Sequence, residues 1–312
     1  MIATLQSLRF VFVMLIFLSH FDYKDIQSFD AGGDCGVAFF FLLSGFVLSL
    51  RYGQQISAGS FSFVSFMKRR LMKCYPLHIL CLLAFLLAYR PALDGKVILN
   101  ALLLQSWVPD VDYYYSCNSV SWFLSSLLFC YLVFPFVYRR LSSTMTLVVL
   151  TAGVAVYLLT PYSQVNAILY VHPLVRFVDF YLGMLLAQYH GKWMSHRGTE
   201  PLLLVALLVA LVVYPLADEK FRNAPLFWLV LIPLIGVFAQ QRGWLSQLLQ
   251  TRPMLFLGSL SMPLFLTHQM LLAAMRNHLP DMPAVCMLAL CVLVALAVSW
   301  SIQIIFSRLF RL

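Results

Sequence analysis

The chain has 312 residues, of which 62% are hydrophobic and only 11% charged, with a formal net charge of +9. An average soluble domain carries about a quarter charged residues, and a water-soluble fold of this length could not bury so much apolar surface around one core. The Lys and Arg are scattered in small clusters between apolar runs, which excludes a nucleic-acid-binding tract and fits the positive-inside pattern of a membrane protein.

Taken in chain order, apolar runs predict helices over 5–21, 35–51, 74–90, 119–138, 145–161, 173–190, 201–216, 224–240, 253–275 and 283–306. Several are short for a span of ~20 residues, so tilt and burial among neighbours must make up the difference. Arg9 before the apolar stretch Phe10 to Leu18 is compatible with a signal peptide, but Ser19-His20-Phe21 lacks the small residues of a cleavage site. The first helix is therefore read as uncleaved. The stretch Val97 to Leu104 is too short to span and is expected to fold back at the outer surface. No repeat, low-complexity tract or separate soluble domain interrupts the chain, which reads as one transmembrane domain over 1–312. The expected fold class is an all-α polytopic membrane bundle of roughly ten transmembrane helices with both termini cytoplasmic.

Charge supports that count. With the N-terminus inside, the inner segments hold thirteen basic residues, namely Arg51, Lys68, Arg69, Arg70, Lys73, Arg139, Arg140, Lys192, Arg197, Arg242, Arg252, Arg308 and Arg311. The outer segments hold six, Lys24, Arg90, Lys96, Lys220, Arg222 and Arg276. Ten acids fall outside and only Glu200 inside.

Ionisable groups at membrane depth are costly and therefore functional candidates. Arg9 and His20 lie eleven residues apart, ~16 Å along one helix and within a quarter-turn of one face. One helix thus offers a cation near the cytoplasm and an imidazole towards the outside; the plainer reading is a snorkelling anchor and a boundary residue. Lys68-Arg69-Arg70 and Lys73 at the mouth of the third helix could hold a polyphosphate, and are also what any inside-facing loop carries. Arg176 and Asp179 stand at i and i+3, spaced to neutralise each other, which favours a structural role. His268 is either a helix-bridging hydrogen bonder or a catalyst. Between Trp107 and Asn118, Tyr113-Tyr114-Tyr115 with Asp110 and Asp112 suit a sugar ring, or form the ordinary aromatic belt. The seven Cys show no metal-ligand spacing, so no metal is implied. Cys35 and Cys117, the two placed outside beside helix ends, are either bridged or ordinary small residues.

Four stretches in order resemble the membrane-bound acyltransferase family 3, whose members include O-acetyltransferases of bacterial surface polysaccharides. Arg9 and His20 resemble its opening Arg-x10-His. Gly36-Val37-Ala38-Phe39-Phe40-Phe41-Leu42-Leu43-Ser44-Gly45-Phe46 resembles GVxxFFxLSGF. The segment Phe66 to Pro76 resembles FxxRRxxRxYP, and Ser121-Trp122-Phe123-Leu124-Ser125 with Tyr131 and Phe134-Pro135 resembles WSLSxExxFYLxFP. Weaker echoes are the run Arg176 to Gly183 and the run Leu257 to His268. The chain departs in having Lys73 where Arg is frequent, which keeps the charge but loses bidentate phosphate geometry. It has Leu127 for the frequent Glu, lacks the usual Glu near Ser307, and is expected to end without the extracytoplasmic domain of larger members.

The resemblance implies transfer of an acyl group, acetyl above all, from cytoplasmic acetyl-CoA to a hydroxyl of a cell-surface glycan or lipid-linked glycan precursor at the inner membrane. It implies Arg69, Arg70 and Lys73 as the acyl-CoA phosphate site, with Arg9 deeper in the same cavity, and His20 as general base or transient acyl carrier. Ser44, Trp122 and Tyr114 are the expected substrate contacts. The rival is a glycan or lipid carrier that moves its cargo without chemistry and has no need of His20.

Overall fold

The structure, a computed structural model, describes residues 2–192 and 199–310; the inner-loop Arg197 and the terminal Arg311 lie outside them. Among the described residues the chain is helical apart from one isolated bridge between Tyr23 and Ile26. In chain order the helices are α1 (Ala3–Ser19), α2 (Asp30–Ser57), α3 (Phe63–Tyr89), α4 (Gly95–Ala101), α5 (Val111–Tyr114), α6 (Trp122–Arg139), α7 (Ser143–Leu159) and α8 (Pro173–Gln188). They continue with α9 (Thr199–Val213), α10 (Glu219–Arg222), α11 (Pro225–Phe238), α12 (Trp244–Leu249), α13 (Arg252–Ser259), α14 (Ser261–His278) and α15 (Ala284–Phe310).

Each of the ten apolar runs coincides with one of the long helices or a broken pair of them. Among the described residues, six helical segments are long and apolar enough to cross a membrane alone, or up to eight if each of two bent pairs is one span. The bent pairs are α13 with α14, turning by 56°, and α7 with the segment Tyr162–Val171, turning by 114°. The remaining two apolar segments are short: α1 has 17 residues and α8 has 16, so each rises only ~25 Å. The stretch after α3 folds back as its length demands. Asp94 accepts from the backbone N–H groups of Lys96 and Val97 to start α4, and Leu103 turns the chain at a positive φ of 56°. His78 Nε2 and Tyr75 Oη then hold the carbonyls of Asn100 and Ala101 at 2.9 and 3.0 Å.

The helix α2 is central. Of its apolar window 72% is buried, against 22% for α3, 17% for α9 with its 3-10 extension and 22% for α15; these three present their apolar side chains outward, as lipid-facing helices do. The most extensive pairing is α2 with α8. It depends on two glycines that face each other: a Cβ at Gly45 would overlap the Phe180 carbonyl, and one at Gly183 would overlap the Leu42 carbonyl. Small residues let the two backbones approach this closely, and in lipid that contact is a main source of helix association.

Loops gather at two opposite ends. At one, Ala3 N donates to Gln241 Oε1 at 2.9 Å and Ser7 Oγ to the Leu249 carbonyl at 2.5 Å. At the other, Tyr23 Oη donates to the Pro280 carbonyl at 2.7 Å, and Tyr162 Oη to Asp218 at 2.8 Å. The lone acid of the first end has a local reason: buried Glu200 accepts from the N–H groups of Gly243 and Ser246, both at 3.0 Å, and so caps α12. Cys35 and Cys117 are free thiols. Cys35 packs in an apolar cluster with Leu231 and Phe227 of α11, so of the two readings the small-residue one describes it.

Candidate functional site

At the end where Tyr23 meets Pro280, six separate stretches of chain, α14 with Phe265 and Gln269 among them, line a cavity of about 540 Å³. The end of α1 contributes His20, the start of α2 Asp34, the loop before α6 Tyr115, and the first residue of α6 Trp122. The connection 160–172 adds Tyr170, and the connection 214–224 adds Tyr214. Its wall after α7 is irregular: residues Val165–Val171 wind as a π-helix, a form that concentrates at functional sites.

His20 ends α1 and is half-buried. Its Nδ1 lies 2.9 Å from the Ile16 carbonyl, which can only accept, so Nδ1 carries the proton. Nδ1 also lies 3.2 Å from His268 Nε2 and 3.3 Å from Ser19 Oγ, whose own proton goes to the Ile16 carbonyl at 2.8 Å. His268 is fully buried in α14, and its own Nδ1 faces the carbonyls of Phe265 at 2.7 Å and Leu264 at 3.2 Å. In a neutral ring that leaves His268 Nε2 as an acceptor. Both rings are therefore held as Nδ1–H tautomers, and the pair leaves His20 Nε2 with its lone pair and no hydrogen-bond partner among the described residues. An imidazole presented that way is a base waiting for a proton. Arg276 braces the same turn, donating to the carbonyls of His20 at 3.1 Å and Asp22 at 3.2 Å.

Asp34 sits beside this turn because α2 starts tightly against α1; a Cβ at Gly33 would lie 2.6 Å from Ser19 Oγ. Asp34 Oδ2 accepts from Tyr214 Oη at 2.7 Å. Behind the wall, Arg176 and Asp179 form the expected i,i+3 ion pair at 2.9 Å, both fully buried. Arg176 also donates to the Leu169 carbonyl at 2.5 Å and lies over the Tyr170 ring at 5.7 Å. Trp228 Nε1 donates to Asp179 Oδ1 at 2.6 Å. The pair thus holds the π-helical wall in place.

The basic residues are at the other end of α1. Arg9, Arg70 and Lys73 lie within electrostatic reach of one another, with Arg51 near Lys73. Arg69 and Lys73 are exposed, Arg9 and Arg70 half-buried. Arg69 turns towards Tyr52, its guanidinium 5.8 Å from that ring. Arg70 Nε is buried without a hydrogen-bond partner among the described residues.

A search against family models matches residues 2–304 to the acyltransferase domain of the acyltransferase 3 family. The chain belongs to this family. A curated relative, "Acyltransferase MdmB" of Streptomyces mycarofaciens, is 38% identical over 117 residues, which is 34% of this chain and 29% of the relative. The chain therefore matches under a third of that relative's length. No solved structure matches.

Of the residues singled out in the sequence, the structure brings His20 and Trp122 together in the cavity wall and gathers Arg9, Arg70 and Lys73 at the opposite end. Tyr114 is buried, its ring 4.6 Å from Tyr115, and Tyr115 lines the cavity in its place. Ser44 is half-buried on α2 beside the Gly45 crossing and does not line the cavity. Sequence reasoning missed Asp34, Tyr170, Tyr214 and Asn223, and the pairing of His20 with His268. Asp34 stands two residues before the GVxxFF-like stretch, the one local signal that it borders the site; nothing in sequence ties it to Tyr214.

Proposed function

We propose that this protein transfers an acetyl group from cytoplasmic acetyl-CoA to a hydroxyl of a cell-surface glycan or of its lipid-linked precursor. The observation that carries the reading is the unpaired Nε2 of His20 at a cavity, with a cluster of cations at the other end of the same helix. Arg70 and Lys73 would hold the phosphates of the donor, joined by Arg69 if it swings from Tyr52, and Arg9 would guide the thioester along α1. The acceptor hydroxyl would donate to His20 Nε2. As its oxygen attacks the thioester carbonyl carbon, the C–O bond forms, the C–S bond breaks, and the hydroxyl proton passes to His20 and on to the departing thiolate. The developing imidazolium keeps two acceptors at Nδ1, the Ile16 carbonyl and His268 Nε2, which stabilises it as an orienting partner does in a catalytic triad. Trp122 supplies an aromatic face for a sugar ring.

In this reading the basic end faces the cytoplasm, the cavity opens outward, and ten crossings leave both termini inside. In a bacterium that membrane is the inner one. A carrier would have no use for a base with fixed tautomer. The test is purified protein with acetyl-CoA and a polysaccharide acceptor. Thiol release that depends on the acceptor supports the enzyme; transport of glycan without thiol release supports the carrier.

A further inference from the structure

The charges in the cavity wall are unbalanced. Three carboxylates line it, Asp30, Asp34 and Glu219, against one guanidinium, Arg222. Arg222 is already engaged: its Nε donates to the Ala217 carbonyl at 2.8 Å and its Nη2 to the Pro215 carbonyl at 2.6 Å, and it lies over the Tyr214 ring at 5.3 Å. Of the next cations, Arg176 is paired with Asp179 and Arg276 donates to two backbone carbonyls; Arg176 and Arg222 act on Asp34 through space, without touching it. Asp34 is half-buried, has one hydrogen bond from Tyr214, and makes no ion pair among the described residues. A carboxylate withdrawn from water without a contacting counter-charge is costly, and a ligand that brings one lowers the cost.

Two further features describe that ligand. Asn223 is 7% exposed, lines the cavity, and its Nδ2 has no hydrogen-bond partner among the described residues. This unused donor calls for a ligand oxygen. Tyr115, Trp122, Tyr170 and Tyr214 give the wall aromatic faces, which suit both the apolar side of a sugar ring and a cation.

We infer that the acceptor is a hydroxylated ring carrying an ammonium group, an amino sugar in chemical class, and that Asp34 and Glu219 hold the ammonium. The inference rests on the acyl-transfer reading of the cavity and adds the acceptor's charge to it. It also accounts for transfer to oxygen: an amine kept protonated by a carboxylate has no lone pair to attack the thioester, so the hydroxyl presented to His20 reacts. Acidic acceptors such as uronic acids are excluded by the same carboxylates.

The test is isothermal titration calorimetry of the full chain in lipid nanodiscs with phenyl glucosaminide, phenyl glucoside and phenyl glucuronide. The glucosaminide binds at least tenfold tighter than the glucoside, and the glucuronide weakest of the three. Asp34→Asn abolishes that preference, and Glu219→Gln, at an exposed position, reduces it should the Asp34 variant fail to fold. Equal or tighter binding of the glucoside or glucuronide, absence of binding by all three, or a preference that survives both substitutions overturns the inference. Thiol release from acetyl-CoA on the same preparation separates the two claims. A preference without thiol release leaves the acceptor's charge standing and removes the chemistry; thiol release with a neutral acceptor and no preference does the reverse.

Discussion

Replacing Arg176 by Met tests whether the buried ion pair holds the cavity wall. The substitution removes the 2.9 Å bridge to Asp179 and the 2.5 Å donation to the Leu169 carbonyl. Breaking a buried pair by deleting one partner costs about 3–5 kcal/mol, because the other charge is stranded, and an orphaned carbonyl adds about 1–3 kcal/mol. That sum is comparable with the whole stability of many proteins, about 5–15 kcal/mol, so Arg176→Met should sit close to unfolding. Adding Asp179→Leu removes the stranded carboxylate. The Leu169 carbonyl and Trp228 Nε1 then remain unpaired, at about 1–3 kcal/mol each, so recovery is partial. The double variant should therefore be more stable than Arg176→Met alone. Thermal unfolding in detergent, followed by tryptophan fluorescence and by retention of monodisperse protein, measures the ordering. If the double variant is no more stable than Arg176→Met, the two residues are not coupled, and the account of the wall behind Tyr170 is wrong.

At the α2–α8 crossing, Gly45→Ala should destabilise by about 1–3 kcal/mol through overpacking against the Phe180 carbonyl, although Ala is the better helix former; unchanged thermal stability would contradict the close approach. His268→Phe keeps the ring volume and removes the acceptor at His20 Nδ1. Hydrogen bonds to charged groups contribute about 1.5–3 kcal/mol, so kcat should fall roughly tenfold to a hundredfold with KM little changed, and an unaltered kcat would show that His268 does not orient the base. Reporter fusions after Asp110 and after Leu312 should report outside and inside respectively, and a cytoplasmic signal from Asp110 would overturn the ten-crossing topology.

Apolar periodicity reveals where the helices are because lipid imposes length and hydropathy on each segment independently of its neighbours. All ten runs have helical counterparts, and the fold-back after Tyr89 follows from a stretch too short to span. What depends on three dimensions was not legible. His20 and His268 are 248 residues apart in sequence, and nothing local to either predicts that one aims its Nε2 at the other. The choice of Tyr115 over Tyr114 is a matter of one residue in a four-residue turn of helix, too short for periodicity to assign a face. The break after Leu159, which creates the cavity's π-helical wall, lies in a polar connection where hydropathy carries no directional information. Arg176 and Asp179 were legible as a pair from their spacing alone, but their task at Leu169 and Tyr170 was not.

In the proposed reaction His20 takes the proton from the acceptor while the donor is held at the far end of α1. The most direct measurement is acetyl-CoA binding and acceptor-dependent thiol release, made on the same preparations of wild-type and His20→Ala protein. Loss of a general base costs about 10²–10⁴-fold in rate, and Arg70 and Lys73 gather round Arg9, which lies ~16 Å from His20 along α1. Thiol release should therefore fall by at least a hundredfold while donor affinity stays within about twofold of wild type. Thiol release that persists at the wild-type rate in the His20→Ala protein would contradict the account.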